Sequence, residues 1–385
     1  MTDQTVLPPF LSYGFRPFYT LAALFGAAIL PLTVASIFGL VDAPQYFGAF
    51  GWHAHELVFG YAAAVIAGFL LTAVANWTAM PPTRGVPLAA LITLWFAGRV
   101  AVLFADNLPG LVVAVVDLMF LPTVAIAVGI KVVRTRNFRN LITVVVLTAL
   151  FLGNLALHLE ALGYDTYIPE RSINFPLGVL MMLLALLGGR VIPFFTANAL
   201  PQVKVRPLGK FDMVTLVLLL PALVPQLETV APWLFGVAAL AHLVRMTGWS
   251  TVATFGNPLL WVLHLGYFWI VVSLALRAFG GIYPEAATAG IHALTVGALG
   301  GLTIGMMSRT ALGHTGRKLF ASRVTITAYI LINLAAVLRV AGALLPELGS
   351  EVLWAGATLW STALVLYLVE FFPVLSSPRP DGRPG

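Results

Sequence analysis

Trp52-His53-Ala54-His55-Glu56 sets two imidazoles and a carboxylate inside a strongly apolar stretch. Imidazole suits copper, iron and zinc. A carboxylate beside it can orient a ligating ring or carry protons. On a helix His53 and Glu56 are i and i+3 and share a face. His53 and His55 lie about 200° apart and meet different partners, unless the helix begins only after His53, in which case both can converge on one site. The plain alternative is a group of polar residues capping a helix start.

Ionisable groups in apolar stretches are costly, so each marks chemistry by default. His158, His242, His264 and His292 join His53 and His55, and only His314 falls in a connection. Arg99, Arg190, Arg339, Glu56 and Asp117 complete the set. His242 and His264 lie at about equal depth on neighbouring stretches, which suits a bis-imidazole haem. Arg190 or Arg245 can meet its propionates, and Arg309, near the same face, joins the cofactor-binding candidates. The plain alternative is a histidine–histidine or histidine–backbone hydrogen bond.

His55 and His292 differ in depth by about one helical turn. They can form a second haem or a haem–copper arrangement, with His158 as a further ligand. The metal candidates are therefore His53, His55, His158 and His292, and the candidates for proton chemistry are Glu56 and His53. Arg99 and Asp117 have matching depths and opposite charges, which reads first as an ion pair and second as a proton path. Gly297, Gly301 and Gly305 form a small-residue stripe that reads as close helix packing. Met306 and Met307 read as packing before they read as copper ligands.

The elements that must hold these residues follow from composition. Of 385 residues only 9% are charged and 60% are hydrophobic; a soluble domain carries about 25% charge. That excludes a soluble enzyme and a disordered chain, and predicts an all-α polytopic membrane protein. About twelve spans fit the length, at roughly 16–40, 52–77, 86–105, 110–131, 139–162, 173–196, 209–226, 229–248, 257–279, 285–309, 322–345 and 348–372. The connections are short, so residues 1–375 read as one membrane domain and 376–385, rich in Pro and Gly, as a disordered tail. With no cysteine, iron–sulfur clusters, thiolate haem and disulfides are excluded. The N-terminus lacks a basic region and does not read as a cleavable signal peptide.

Sixteen Lys and Arg fall on the side of the N-terminus and the even-numbered connections, against Arg171 and Arg277 on the other. The cation-rich side faces the cytoplasm, so both termini are expected there. The net charge of +6 sits beside apolar spans and does not read as a nucleic-acid surface. Tyr46, Trp52, Trp77, Tyr164, Tyr167, Trp249 and Tyr283 fall near span ends and read as interfacial anchors.

Several separated motifs occur together and in order: Tyr13-Gly14-Phe15-Arg16-Pro17-Phe18; Trp52-His53-Ala54-His55-Glu56; Gly188-Gly189-Arg190 through Pro193-Phe194-Phe195-Thr196; and His292 through Met306-Met307-Ser308-Arg309 into Gly313-His314-Thr315-Gly316-Arg317. In these, and over nearly its whole length, the chain resembles the NnrS family. The resemblance implies a bacterial inner-membrane protein of about twelve spans that binds haem and copper and acts in nitric oxide metabolism or nitrosative-stress tolerance. On that reading a His-ligated haem–metal site with a b-type haem reduces nitric oxide to N2O. Glu56 is then the proton donor, and electrons come from a separate donor. A non-catalytic haem/copper scavenger or sensor is the first alternative and a twelve-helix secondary transporter the second. Paired halves would favour the transporter, and no convincing repeat is apparent in the sequence.

Overall fold

Where water is excluded, backbone polar groups must be satisfied within the protein, and a helix does this within one segment. The computed structural model describes residues 8–164, 173–206, 209–223 and 230–382, and every regular element among them is helical. Asp165, Tyr167, Glu170, Arg171, Glu228 and Arg383 lie outside the described residues.

The helices are α1 (Phe15–Ile37), α2 (Gly48–Thr78), α3 (Val86–Leu103), α4 (Gly110–Arg134), α5 (Phe138–Ala161) and α6 (Asn174–Ala199). After them come α7 (Lys210–Val217) and α8 (Ala231–Thr247). The last four are α9 (Pro258–Phe279), α10 (Pro284–His314), α11 (Arg323–Leu344) and α12 (Gly349–Ser376). Ten of these, all but α7 and α8, are long and apolar enough to cross a membrane. The expected spans at 209–226 and 229–248 are represented by shorter pieces. The α7 helix has 8 residues, about 12 Å of rise, and a 3-10 turn at Leu220–Leu223 follows it. The α8 helix has 17 residues. Phe50, Leu111, Ile126, Leu240 and Val369 are large, apolar and exposed on helices, as a lipid-facing surface requires.

Local sequence sets several helix starts. Asn257 caps α9, accepting from the Leu259 amide, with Pro258 in the first turn. Ser322 caps α11 by accepting from the Thr325 amide. Proline costs least at such starts, where its missing N–H would have no helical partner.

The chain divides into two compact units, each helical. The first is Met1–Pro176 with Thr310–Leu319 and Tyr367–Gly385; the second is Leu177–Arg309 with Phe320–Leu366. In the first unit, Ile29, Trp52, Val102, Ala105 and Val113 form one buried cluster between α1, the start of α2, and the α3–α4 corner. The expected disordered tail is anchored here as far as Asp381. Arg16, fully buried, donates to the Leu375 and Ser377 carbonyls at 2.7 and 2.8 Å. Arg379 donates to the His314 carbonyl at 3.0 Å and pairs with Asp381.

The two units repeat an order of elements. Both α2 and α10 span 31 residues, and each is interrupted by a π segment that begins directly after a histidine: Glu56–Ala62 after His55 and Ala293–Gly300 after His292. Each carries His-x-Leu-x2-Gly-x7-Gly, as His55, Leu57, Gly60, Gly68 and as His292, Leu294, Gly297, Gly305. Gly60 and Gly68 let α2 approach Phe25, Phe18 and Tyr19 of α1, while Gly297 and Gly305 let α10 approach Trp269, Val262 and Leu263 of α9. An uninterrupted helix follows in each unit, then a 3-10 turn (Ala105–Asn107, Pro346–Leu348), then a helix opening on glycine (Gly110, Gly349). Thus α1–α4 and α9–α12 correspond element for element.

Candidate metal centre

The first unit buries a polar cluster drawn from four helices. His55 ends the opening α-helical part of α2 and Glu56 starts its π segment; such segments often mark functional sites. Arg99 comes from α3, Asp117 from α4, and Asn154 and His158, one turn apart, from α5. Tyr46, in the connection before α2, closes the cluster. His55, Glu56, Arg99, Asp117, Asn154 and His158 are all buried.

Arg99 bridges both carboxylates. One guanidinium nitrogen donates to Glu56 Oε1 at 2.5 Å and the other to Asp117 Oδ1. His55 Nδ1 lies 2.9 Å from Glu56 Oε1, and its Nε2 lies 3.0 Å from Asn154 Oδ1 and 3.2 Å from Asp117 Oδ2. The Asn154 amide nitrogen donates to Asp117 Oδ2 at 2.7 Å, so its oxygen is turned to His55. His158 Nε2 is 3.1 Å from Asp117 Oδ2, and its Nδ1 is 3.0 Å from the Tyr46 hydroxyl. Burial, and then the Asp117 charge, push the Tyr46 phenol up to about 12, so it remains a neutral donor to His158.

Both nitrogens of His55 face acceptors. A neutral imidazole has only one N–H, so this arrangement is completed by a proton on each nitrogen or by a cation in place of one. Charge counting agrees: Glu56 and Asp117 bring two negative charges and Arg99 one positive. One more positive charge makes the buried group neutral, as burial demands.

A single monovalent metal ion such as Cu(I) fits that requirement, and a divalent ion fits it together with one added anionic ligand. One nitrogen each from His55 and His158 and one oxygen of Asp117 lie within 4.8 Å of one another. The two nitrogen–oxygen edges, 3.2 and 3.1 Å, match the edge of about 3.3 Å between ligands of a tetrahedral ion at 2.0–2.1 Å. Two imidazoles and one carboxylate leave a coordination position open, as catalytic sites do. Glu56 on His55 Nδ1 and Tyr46 on His158 Nδ1 hold the rings as outer-shell partners do. A macrocycle does not fit the same place. The His55 ring is stacked on Phe47 with centroids 4.4 Å apart and meets His158 edge-on at 5.5 Å.

Of the residues singled out in the sequence, His55, Glu56 and His158 come together, and the Arg99–Asp117 pair forms among them. His53 lies apart, 3.0 Å from Thr33 Oγ1 on α1, because the helix already begins at Gly48 and turns the two rings to different partners. The other candidates belong to the second unit. His292 Nδ1 is 2.8 Å from the Thr288 carbonyl. Arg190 is exposed, and the Arg309 guanidinium lies 4.0 Å from the centroid of the Phe195 ring.

His242 sits between the Tyr267 hydroxyl (2.7 Å) and the Thr215 carbonyl (3.1 Å). His264 sits between Thr196 and Thr251, at 2.9 and 3.0 Å. A haem iron held by either ring would have to replace one of these hydrogen bonds. Sequence reading passed over Asn154 and took Tyr46 for an interfacial anchor. The signal for Asn154 was its i, i+4 spacing to His158 within an apolar helix.

Comparison with known proteins agrees in extent with the motifs quoted above. No curated protein matches the chain. A family model described as NnrS protein matches residues 9–379, so the chain belongs to the NnrS family.

Proposed function

We propose that this protein is a metal-binding protein of the bacterial inner membrane that acts in nitric oxide metabolism, with a transition-metal ion held by His55, Asp117 and His158. The observation that carries the reading is the buried donor set of two imidazoles and one carboxylate, one positive charge short of neutrality. Copper is the first candidate ion, since imidazole suits it and the family resemblance implies it. Haem, the other cofactor so implied, is assigned to His242 or His264 in the second unit.

A bound copper or haem iron supplies a coordination position for nitric oxide and a route for electrons from an external donor. The overall chemistry joins two NO, two electrons and two protons into N2O and water. Around it, Arg99 holds both carboxylates, Tyr46 fixes the His158 ring, and Glu56 Oε1 exchanges a proton with His55 Nδ1. The apolar helices admit nitric oxide, which is small and weakly polar, directly from the lipid.

Metal analysis and an absorbance spectrum of the purified protein test the assignment. The expected result is one equivalent of metal that falls by at least about tenfold in His55→Ala and His158→Ala, with His53→Ala unchanged. Full metal content in both cluster variants overturns it. Anaerobic incubation of the reduced protein with NO, read by gas chromatography, tests turnover; no N2O above a metal-free control leaves a scavenger or sensor. The repeated helix order favours a second reading, a secondary transporter, since such folds are built from repeats. A colourless preparation without bound metal would support it.

A further inference from the structure

The correspondence between α1–α4 and α9–α12 gives the metal cluster a counterpart in the second unit. His292 stands where His55 stands and Ala293 where Glu56 stands, each pair at the junction of helix and π segment. Gly98, just before Arg99, packs against Asp117; Leu338, just before Arg339, packs against Gly356. Arg339 therefore stands where Arg99 stands, and Gly356 where Asp117 stands. The histidine and the arginine are kept and both carboxylates are gone.

Charge and space follow from that loss. Arg99 is neutralised by Glu56 and Asp117, whereas Arg339 has no hydrogen bond or ion pair among the described residues. A guanidinium within an apolar helix is costly without a partner. Ala293 and Gly356 bring no carboxylate of their own, and a Cβ placed on Gly356 would meet its nearest atom at 3.6 Å, an ordinary packing distance. His292 and Arg339 are half-buried, so both side chains are reachable from outside the helix bundle, whereas Ala293 and Gly356 are buried.

We propose that the second unit carries an anion site at Arg339 and His292, between α10, α11 and α12, that takes a planar oxyanion of carboxylate geometry. The planar guanidinium fork matches two coplanar oxygens, as it does in Arg–carboxylate pairs. The ligand restores the carboxylate that the first unit supplies from its own chain. The site does not depend on any metal in the first unit.

Thermal unfolding of the purified full-length protein in detergent, followed by tryptophan fluorescence, tests this with sodium formate against sodium chloride at equal ionic strength. A ligand that binds only the folded state raises Tm, so formate should give a saturable rise of about 2–4 °C. Arg339→Gln should abolish the rise. Ala293→Glu should abolish it too, by placing a carboxylate beside Arg339 as Glu56 lies beside Arg99, and this variant carries the test if Arg339→Gln does not fold. Formate acting no better than chloride overturns the proposal, as does a formate response that survives both substitutions. An equal rise with inorganic phosphate also overturns it, because Arg339 is then an anchor for lipid headgroups.

Discussion

Within the cluster the residues differ in what their loss would expose. Asp117 accepts from Arg99, Asn154, His55 and His158, whereas among the described residues Glu56 accepts from Arg99 and His55. Removing one partner of a buried ion pair costs about 3–5 kcal/mol because the other charge is left uncompensated. Asp117→Asn is therefore expected to destabilise the protein by about that amount, and more than Asp212→Asn does. Asp212 pairs with Arg245 but remains 21% exposed, so water screens what is left. Thermal unfolding of the two variants side by side checks the order. Equal losses would mean that the Asp117 network holds no more of the fold than a half-wet ion pair.

At the scale of elements, sequence reading located most of the helices because their apolar length is a strong signal. It missed the π segments in α2 and α10, since such a segment inserts one turn of different spacing without changing hydropathy. The π segment begins at Glu56, directly beside His55, where the two side chains meet partners on three other helices, and no periodicity shows it. The repeat was hidden for a related reason. Lipid-facing and core positions accept almost any apolar residue, so the two units share little beyond a histidine, an arginine, a leucine and glycines at contact points.

Those glycines are testable. A Cβ at Gly60 would meet the Phe25 ring and, at 3.1 Å, the Arg99 guanidinium. Gly60→Ala should cost about 1–3 kcal/mol by overpacking. It should also lower metal content by displacing Arg99 from Glu56. Gly256→Ala, where nothing lies within 4 Å, should leave both unchanged. Retained stability in Gly60→Ala would mean that α1 and α2 can part at Gly60 without cost.

For the whole molecule, the imbalance of sixteen cations to two predicts both termini in the cytoplasm. Parity preserves that expectation as long as the two short helices cross together or not at all. If α7 and α8 both cross, the chain crosses twelve times, and if neither does, ten; either number returns the C-terminus to the side of the N-terminus. The chain contains no cysteine, so single introduced cysteines can be read without background from the protein itself. In spheroplasts, a membrane-impermeant maleimide should label Asp42→Cys and Glu347→Cys, which lie in exposed connections after α1 and α11. It should leave Thr135→Cys and Asp381→Cys unlabelled until the membrane is permeabilised. The reverse pattern would invert the orientation and place the metal cluster near the cytoplasmic face. Labelling of Glu347→Cys and Asp381→Cys from the same side would show an odd number of crossings. Val230→Cys, exposed just before α8, then reports on α7 and α8 alone: labelling from outside requires that both cross, and protection leaves ten crossings with a hairpin held at the cytoplasmic side.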